Sequence, residues 1–182
     1  MVTLIDVIRD ISKKLNDNIK TKIYYFNTVA DMKTSNVLKA GDMVITKGYY
    51  AANDGGNGEY EILSDDTLVD DGGSIHNIGS TLKARLIVKN NEVNSRQFGL
   101  TDTDSSNASN LFKFGYSKKI KIKLMDDVIF DNTVSQYCAM YQVYSDSTKK
   151  LTYLGLNIAL CDYAEIKKLN IVFEKGENYF GL

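Results

Sequence analysis

GYYAANDGGNGEYEI, residues 48–62, places four of the chain's thirteen glycines between two segments with the alternating pattern of β-strands. The segments are MVITKGYY (43–50) and EYEIL (59–63). A hairpin loop between paired strands needs residues with positive φ, and glycine and asparagine adopt such angles most readily. The stretch therefore predicts a tight corner between two strands.

The same loop could in principle hold a ligand. A phosphate-binding loop of the Walker type needs a lysine and a hydroxyl residue after its last glycine, but a glutamate follows here. Calcium is the stronger alternative, because Asn53, Asp54, Asn57 and Glu59 all carry oxygen ligands. Their order does not match the twelve-residue helix-loop-helix pattern. We therefore expect a structural corner, with neither a metal nor a cofactor.

The corner belongs to a small unit that the sequence predicts to be antiparallel. Further strand patterns lie at SIHNI (74–78) and LKARLIVK (82–89), separated by Asp, Gly and Asn clusters. Ahead of them, Thr28 with Asp31 three residues later resembles a capping box, and Gly41 closes the helix that it would start. A short helix followed by a small β-sheet is the expected arrangement.

The N-terminal segment predicts an amphipathic helix. Leu4, Ile8, Ile11 and Leu15 follow a 4-3-4 spacing typical of a heptad seam. One interpretation is a helix docked on its own domain. The other is a short coiled coil that gathers several copies through these four residues, although barely two heptads are marginal alone in water.

The chain after Asn90 changes character. A short helical segment is expected near Ala108 to Tyr116, followed by KIKIKL with strict alternation of Lys and Ile. Further strand patterns follow at AMYQVYS, LTYLGLNIAL and LNIVFEK. KKLTYLGL and IKKLNIVF begin about eighteen residues apart, close to one coil of a solenoid. The pattern thus predicts a mainly β chain with a repeat in its last part.

Composition excludes several functional classes. The 182 residues are 43% hydrophobic and 25% charged with a formal net charge of -1, so nothing favours nucleic-acid binding. No apolar run is long enough for membrane insertion, and charged residues interrupt the N-terminus where a secretory signal would need an apolar core. Cys138 and Cys161 are expected to be reduced and buried, with a disulfide as the alternative.

Candidate catalytic groups are few. Asp126, Asp127 and Asp131 are the grouped acids of the last part, and adjacent residues of a strand point to opposite faces. Turn carboxylates at a strand are therefore the expected reading, rather than the paired acids of a glycosidase. His76 is the sole histidine, and we expect it to be a surface or hydrogen-bonded strand residue. No catalytic residue is assigned.

Tyrosines offer a binding alternative, because aromatic rings can stack on sugars. Tyr137, Tyr141 and Tyr144 cluster in the sequence and are the candidate glycan contacts of a carbohydrate-binding module. Tyr49 and Tyr50 in the glycine-rich stretch could serve in the same way. Strand alternation would equally bury half of these rings in a core.

Two blocks carry a resemblance to a known family. YFNTVADMKTSNVLKAGDMVITKGYYAANDGGNGEYEI, followed some thirty residues later by EVNSRQFGL, resembles the N-terminal part of phage and prophage tail fibre, tailspike or appendage proteins. In that group the second block opens a right-handed parallel β-helix of the pectate-lyase kind. LTDTDSSNASNLF keeps the acidic turn and helix of the relatives but lacks their glycines, and LMDDVIF lacks their proline and glycine.

The resemblance implies a three-part chain: an N-terminal docking or oligomerisation helix (1–24), a small anchor domain (25–90) and the first coils of the β-helix (91–182). It also implies a homotrimer in the virion tail, made in the bacterial host cytoplasm, that attaches to tail or baseplate proteins and carries a region for binding host-surface glycans. Such proteins have many coils, so a fragment or a shortened relative is expected. The alternative is a polysaccharide depolymerase or a carbohydrate-binding module.

Overall fold

The structure is a computed structural model. It describes residues 3–19, 21–131, 138–154 and 158–173. Side chains are described for residues 3–12, 21–129, 142–147, 149, 150 and 152. The predicted glycan contact Tyr137, the side chains of Tyr141, Leu15 and Asp131, and the thiols of both cysteines therefore lie outside the described part.

The N-terminal helix α1 spans Leu4–Ile19, as its apolar spacing predicts. It begins after Thr3 because the Thr3 hydroxyl accepts from the Asp6 amide, while the Asp6 carboxylate accepts from the Thr3 amide. Leu4, Ile8 and Ile11 are exposed, so their apolar face is not buried against the described chain. Within the described ranges, no helix has the length and apolarity needed to span a bilayer.

The first sheet has five strands in the order β1-β2-β3-β5-β4. The predicted hairpin is confirmed, because β2 and β3 pair antiparallel with Thr46 opposite Gly58. The elements are β1 (Ile23–Phe26), α2 (Val29–Lys33), β2 (Met43–Thr46), β3 (Gly58–Leu63), β4 (Ile75–Ile78) and β5 (Leu82–Leu86).

Two expectations for this sheet need correction. The sheet is mixed rather than antiparallel, because β1 pairs parallel with β2 at one edge. Helix α2 lies between these strands in sequence and provides the crossover that a parallel pair requires. The Thr28–Asp31 capping box forms as predicted, but the helix ends at Lys33 rather than near Gly41.

The second sheet is parallel throughout its described pairs. Its main order is β10-β9-β7-β6, and β8 also pairs with β9. The elements are β6 (Glu92–Asn94), a 3-10 turn (Ser95–Phe98), α3 (Ala108–Lys118), β7 (Lys121–Lys123), β8 (Val128–Asp131), β9 (Cys138–Leu154) and β10 (Ile158–Phe173).

Like residues stack from strand to strand in this parallel sheet. Val93 lies beside Ile122, Ile122 beside Val143, and Val143 beside Ile166. The first three side chains are buried. The three steps correspond to 29, 21 and 23 residues of chain, spacings within the range of solenoid repeats. Parallel stacking therefore begins earlier than the sequence pattern suggested, at β6, and it pairs Leu151 with Ile171, 20 residues apart rather than the eighteen predicted.

One hydrophobic core serves both sheets. The cluster runs from Val44 and Tyr60 of the first sheet to Phe98 and Leu111, and on to Val143 of the second. The Phe98 and Phe114 ring centroids lie 5.6 Å apart. Because no solvent layer separates the two sheets at this point, we expect them to unfold together.

The stacked aliphatic row can be tested with a matched pair of isoleucines. Ile122→Ala should lower the free energy of unfolding by about 2–4 kcal/mol, because Ile122 is 0% exposed and the truncation leaves a cavity. Ile129→Ala on β8, where the side chain is 49% exposed, should cost less than about 1 kcal/mol. Urea unfolding measures both, and equal losses would contradict the inward stacking.

Candidate functional site: the junction of the two sheets

The glycine-rich loop is organised by one carboxylate. We name residues 48–57 the junction loop. Asp54 accepts hydrogen bonds from the backbone amides of Tyr49 at 3.1 Å, Tyr50 at 2.8 Å, Ala51 at 3.0 Å and Gly56 at 2.8 Å. Burial alone would raise the pKa of Asp54, but these amide donors outweigh it and lower the pKa below its usual value. The loop is therefore held in one conformation from within.

Loop geometry also explains the glycines. Asn53 and Gly55 have positive φ angles of 67° and 89°, as the sequence predicted for a corner. Gly56 has a different reason, since a Cβ there would lie 2.5 Å from the Arg96 carbonyl oxygen. The glycine thus allows a second segment to approach the loop closely.

That second segment is the 94–99 turn, which follows β6. Arg96 donates from Nη1 to the Asp54 carbonyl oxygen at 2.6 Å. Its Nε and Nη2 donate to the two carboxylate oxygens of Asp126, each at 2.5 Å. Such a two-point pairing fixes both position and orientation. Hydrogen bonding to Asp126 is the main reason that the pKa of Arg96 is raised.

Two neighbours of Arg96 hold both the turn and the loop. Asn94 and Gln97 form a reciprocal capping box, with each side chain accepting from the other's backbone amide at 3.0 Å. Their amide nitrogens also donate across the junction, from Asn94 to the Gly55 carbonyl at 3.2 Å and from Gln97 to the Asn57 carbonyl at 2.9 Å. The motif NSRQ is therefore a docking motif for the junction loop.

Tyr49 and Tyr50 serve as structural braces at this junction. The Tyr49 hydroxyl donates to the Gly72 carbonyl at 2.8 Å, and the Tyr50 hydroxyl donates to the Gly99 carbonyl at 3.0 Å. Burial, with a smaller effect of nearby Tyr50, raises the pKa of Tyr49 to about 12. Both phenols are thus protonated donors at neutral pH, and their hydroxyls are engaged within the chain.

Two of the four residues considered as calcium ligands in this loop, Asp54 and Glu59, interact with other groups of the protein. Asp54 is surrounded by amide donors, and Glu59 forms an ion pair with Lys89. In the described part of the chain, no three His, Cys, Asp or Glu side chains are grouped closely enough to hold a metal ion.

The grouped acids do not form a catalytic pair among the described side chains. Asp126 is buried against Arg96, while Asp127 is exposed and accepts from the Lys150 amide at 2.9 Å. Both lie in the turn before β8, which begins at Val128, as expected for turn carboxylates beside a strand. In this turn Asp126 faces the junction and accepts from Arg96.

One tyrosine of the candidate glycan cluster, Tyr144, has a described side chain. Tyr144 is half-buried, and its hydroxyl donates to Glu92 Oε2 at 2.5 Å, which links β9 to β6. Burial, followed by that hydrogen bond, raises the pKa of Tyr144 to about 12. Its hydroxyl is used within the parallel sheet.

His76 contradicts its prediction. It lies on β4 as expected, but it is fully buried and neither ring nitrogen has a hydrogen-bond partner among the described residues. Its ring packs edge-on against Tyr60 at 5.5 Å and Tyr49 at 6.0 Å. Burial lowers the pKa of His76 to about 4, with Asp70 opposing the shift and Lys33 adding to it.

Comparisons with known proteins relate part of the chain to a phage tail family. A family model described as "Phage tail protein small four-stranded beta-sheet domain" matches residues 25–89. Strands β2 to β5 lie entirely within this match. No curated protein matches the chain in sequence.

Three solved structures share the fold. The tailspike protein of Acinetobacter phage vB_ApiP_P1 has a TM-score of 0.59 at 13% identity, over 84% of this chain and 30% of that one. Tailspike gp49 of Acinetobacter baumannii bacteriophage Fri1, a capsular polysaccharide depolymerase, has a TM-score of 0.50 at 16% identity, over 71% of this chain and 23% of that one. WceF of Pantoea stewartii, a glycan biofilm modifying enzyme with a tailspike-like parallel β-helix fold, has a TM-score of 0.50 at 16% identity, over 76% of this chain and 24% of that one.

These comparisons confirm the resemblance seen in the sequence, to the N-terminal part of phage tailspike proteins. At such identities the solved structures show the fold alone. The chain spans about a quarter of the length of the structures that it matches, from 23% to 30%.

The junction can be tested by comparing a buried ion pair with an exposed one. Arg96→Met should cost about 3 kcal/mol, because it leaves the Asp126 carboxylate, whose side chain is 4% exposed, without its partner. Arg85→Met removes the exposed pair with Glu61 and should cost less than about 1 kcal/mol. Replacing both Arg96 and Asp126 by apolar residues should recover part of the loss. Equal costs for the two arginine variants would contradict the stabilising role of the Arg96–Asp126 pair.

Acid should destabilise the fold through His76. Because its pKa of about 4 in the folded chain lies below the ordinary 6.5, the unfolded chain binds the proton more readily. Stability from the neutral ring is therefore complete above pH 6.5 and is lost as the pH falls towards 4, by about 3 kcal/mol. His76→Phe should remove this dependence while keeping that of the carboxylates. The free energy of unfolding is measured against pH for the unaltered chain and for His76→Phe, and the difference between the two curves gives the contribution of His76. Parallel curves would contradict a buried neutral histidine.

Proposed function

We propose that this chain is a virion structural protein, the attachment part of a phage tailspike, tail fibre or appendage. The family match over residues 25–89 carries this proposal. The shared fold with two phage tailspikes supports it. In this proposal the protein is made in the host cytoplasm and assembled into the tail, where it contacts other tail or baseplate proteins.

The proposed organisation has three parts: the docking or oligomerisation helix (1–24), the anchor domain (25–90) and the first coils of a right-handed, pectate-lyase-like β-helix (91–182). Parallel pairing with like residues in register, from Val93 through Ile122 and Val143, is the pattern of such a solenoid. The junction would then make the anchor domain and the solenoid one rigid body. Further coils would carry the host-receptor region, with a surface glycan as the ligand.

A depolymerase remains the alternative function, because one similar structure is a capsular polysaccharide depolymerase. Glycan hydrolysis needs two carboxyl groups at a defined separation. Among the described side chains of the parallel sheet, Asp126 is committed to Arg96. The described residues therefore favour the structural role.

Helix α1 is the proposed contact between three copies. Leu4, Ile8 and Ile11 are 75%, 54% and 50% exposed and lie on one helix face, and Leu15 continues the same spacing. An apolar stripe of this kind is normally covered by another surface. A homotrimer would cover it with the same stripe of two neighbours.

The mass of the purified chain in solution tests the trimer. Light scattering should give three times the chain mass of 20.4 kDa. Replacing Leu4, Ile8 and Ile11 with Gln should reduce the trimer population, whereas Arg9→Gln with Asp10→Asn, on the same helix, should leave it unchanged. A monomer for the unaltered chain would contradict the α1 contact.

Placement in the virion needs a separate experiment. Mass spectrometry of purified particles from the phage or prophage that encodes this sequence should detect its peptides in the tail fraction. Detection in infected cells but never in particles would contradict the structural role, whatever the oligomeric state.

A further inference from the structure

The junction loop ends in the chain's single Asn-Gly dipeptide, Asn57–Gly58. Asparagine before glycine is the pair most prone to spontaneous deamidation, because a residue without a Cβ leaves its backbone nitrogen open to the preceding side chain. Asn57 is exposed, and its side-chain amide forms no hydrogen bond with another described residue. The electrophilic carbon is therefore accessible.

The nucleophile is not accessible in the folded junction. The Gly58 amide is buried and donates to the Thr46 hydroxyl oxygen at 3.1 Å. On the other side of the peptide bond, the Asn57 carbonyl oxygen accepts from the Gln97 side chain at 2.9 Å. Both ends of the reacting peptide group are thus held, one by β2 and the other by the 94–99 turn.

We propose that Asn57 is a spontaneous modification site whose deamidation rate is set by opening of the junction. When the Gln97 and Thr46 contacts break, the Gly58 nitrogen loses its proton to hydroxide and attacks Asn57 Cγ. The new C–N bond closes a succinimide, the Cγ–Nδ2 bond breaks, and ammonia leaves after taking up a proton. Water then opens the ring to aspartate or isoaspartate.

The product would hold the junction open. Either form places a new carboxylate two residues from Glu59 and three from Asp54. Like charges this close along the chain repel one another. Isoaspartate also adds a carbon to the main chain, which shifts the register of Gly58 against Thr46 and displaces the carbonyl that Gln97 binds. Deamidation therefore marks the chains in which the Gln97 and Thr46 contacts to this peptide group have broken.

Peptide mapping by mass spectrometry tests the proposal on the full chain at mildly alkaline pH. A synthetic peptide of residues 53–61 supplies the rate without the fold. We expect the folded chain to deamidate at Asn57 more than about tenfold more slowly than the peptide, because only the open fraction reacts. Gln97→Ala and Thr46→Val should each raise the rate in the folded chain about three- to tenfold, the ratio expected for one hydrogen bond.

Gln142→Ala, on β9 away from the junction loop, is the matched control and should leave the rate unchanged. A second measurement uses only the unaltered chain and so does not depend on the folding of variants. Adding urea at low concentration should raise the hydrogen exchange rate of the Gly58 amide and the deamidation rate of Asn57 together. Equal rates in chain and peptide would overturn the protection. Deamidation that does not follow Gly58 exchange would overturn the gating, and an unreactive peptide would overturn the site.

Discussion

The arrangement of the two sheets depends on the pairing of Arg96 with the buried carboxylate of Asp126. A carboxylate with 4% of its side chain exposed is costly to keep charged without a partner. Arg96 satisfies both of its oxygens and uses another N–H for the Asp54 carbonyl. The guanidinium therefore fixes three parts of the chain at once: the junction loop, the 94–99 turn and the segment before β8.

The shape that the junction loop needs for this contact is set by hydrogen bonds within the loop itself. Asp54 binds the surrounding amides and sets the loop shape, and Gly56 leaves room for the Arg96 backbone. Ordering flexible side chains at this contact would cost conformational entropy, whereas the loop presents backbone carbonyl groups that are already fixed. In the proposed role, a fixed loop of this kind would hold the first sheet in one orientation against the parallel sheet.

Local patterns in the sequence were sufficient for the corner, the Thr28 capping box, helix α1 and the strand that begins at Lys121. Each of these depends on residues within a few positions of one another. Strand β1 was missed because its four residues, IYYF, pair with β2 only after the chain has crossed over through α2. The register of β9 and β10 was also predicted wrongly, because Leu151 pairs with Ile171 rather than with a residue eighteen positions away. Tertiary pairing decides such features. For the same reason the burial of His76 was predicted wrongly and the role of Arg96 was not predicted at all. The capping box of Thr3 and Asp6 is different, because its T-x-x-D pattern is visible in the local sequence.

Native-state hydrogen exchange tests the central claim most directly, namely that the junction makes both sheets one cooperative unit. The amides of Tyr60 on β3 and Ile122 on β7 lie in different sheets but share the same core. If the claim holds, they exchange with the same opening free energy, equal to that of global unfolding. A clearly lower opening free energy for either sheet, with the other still protected, would show that the sheets open independently and would contradict it.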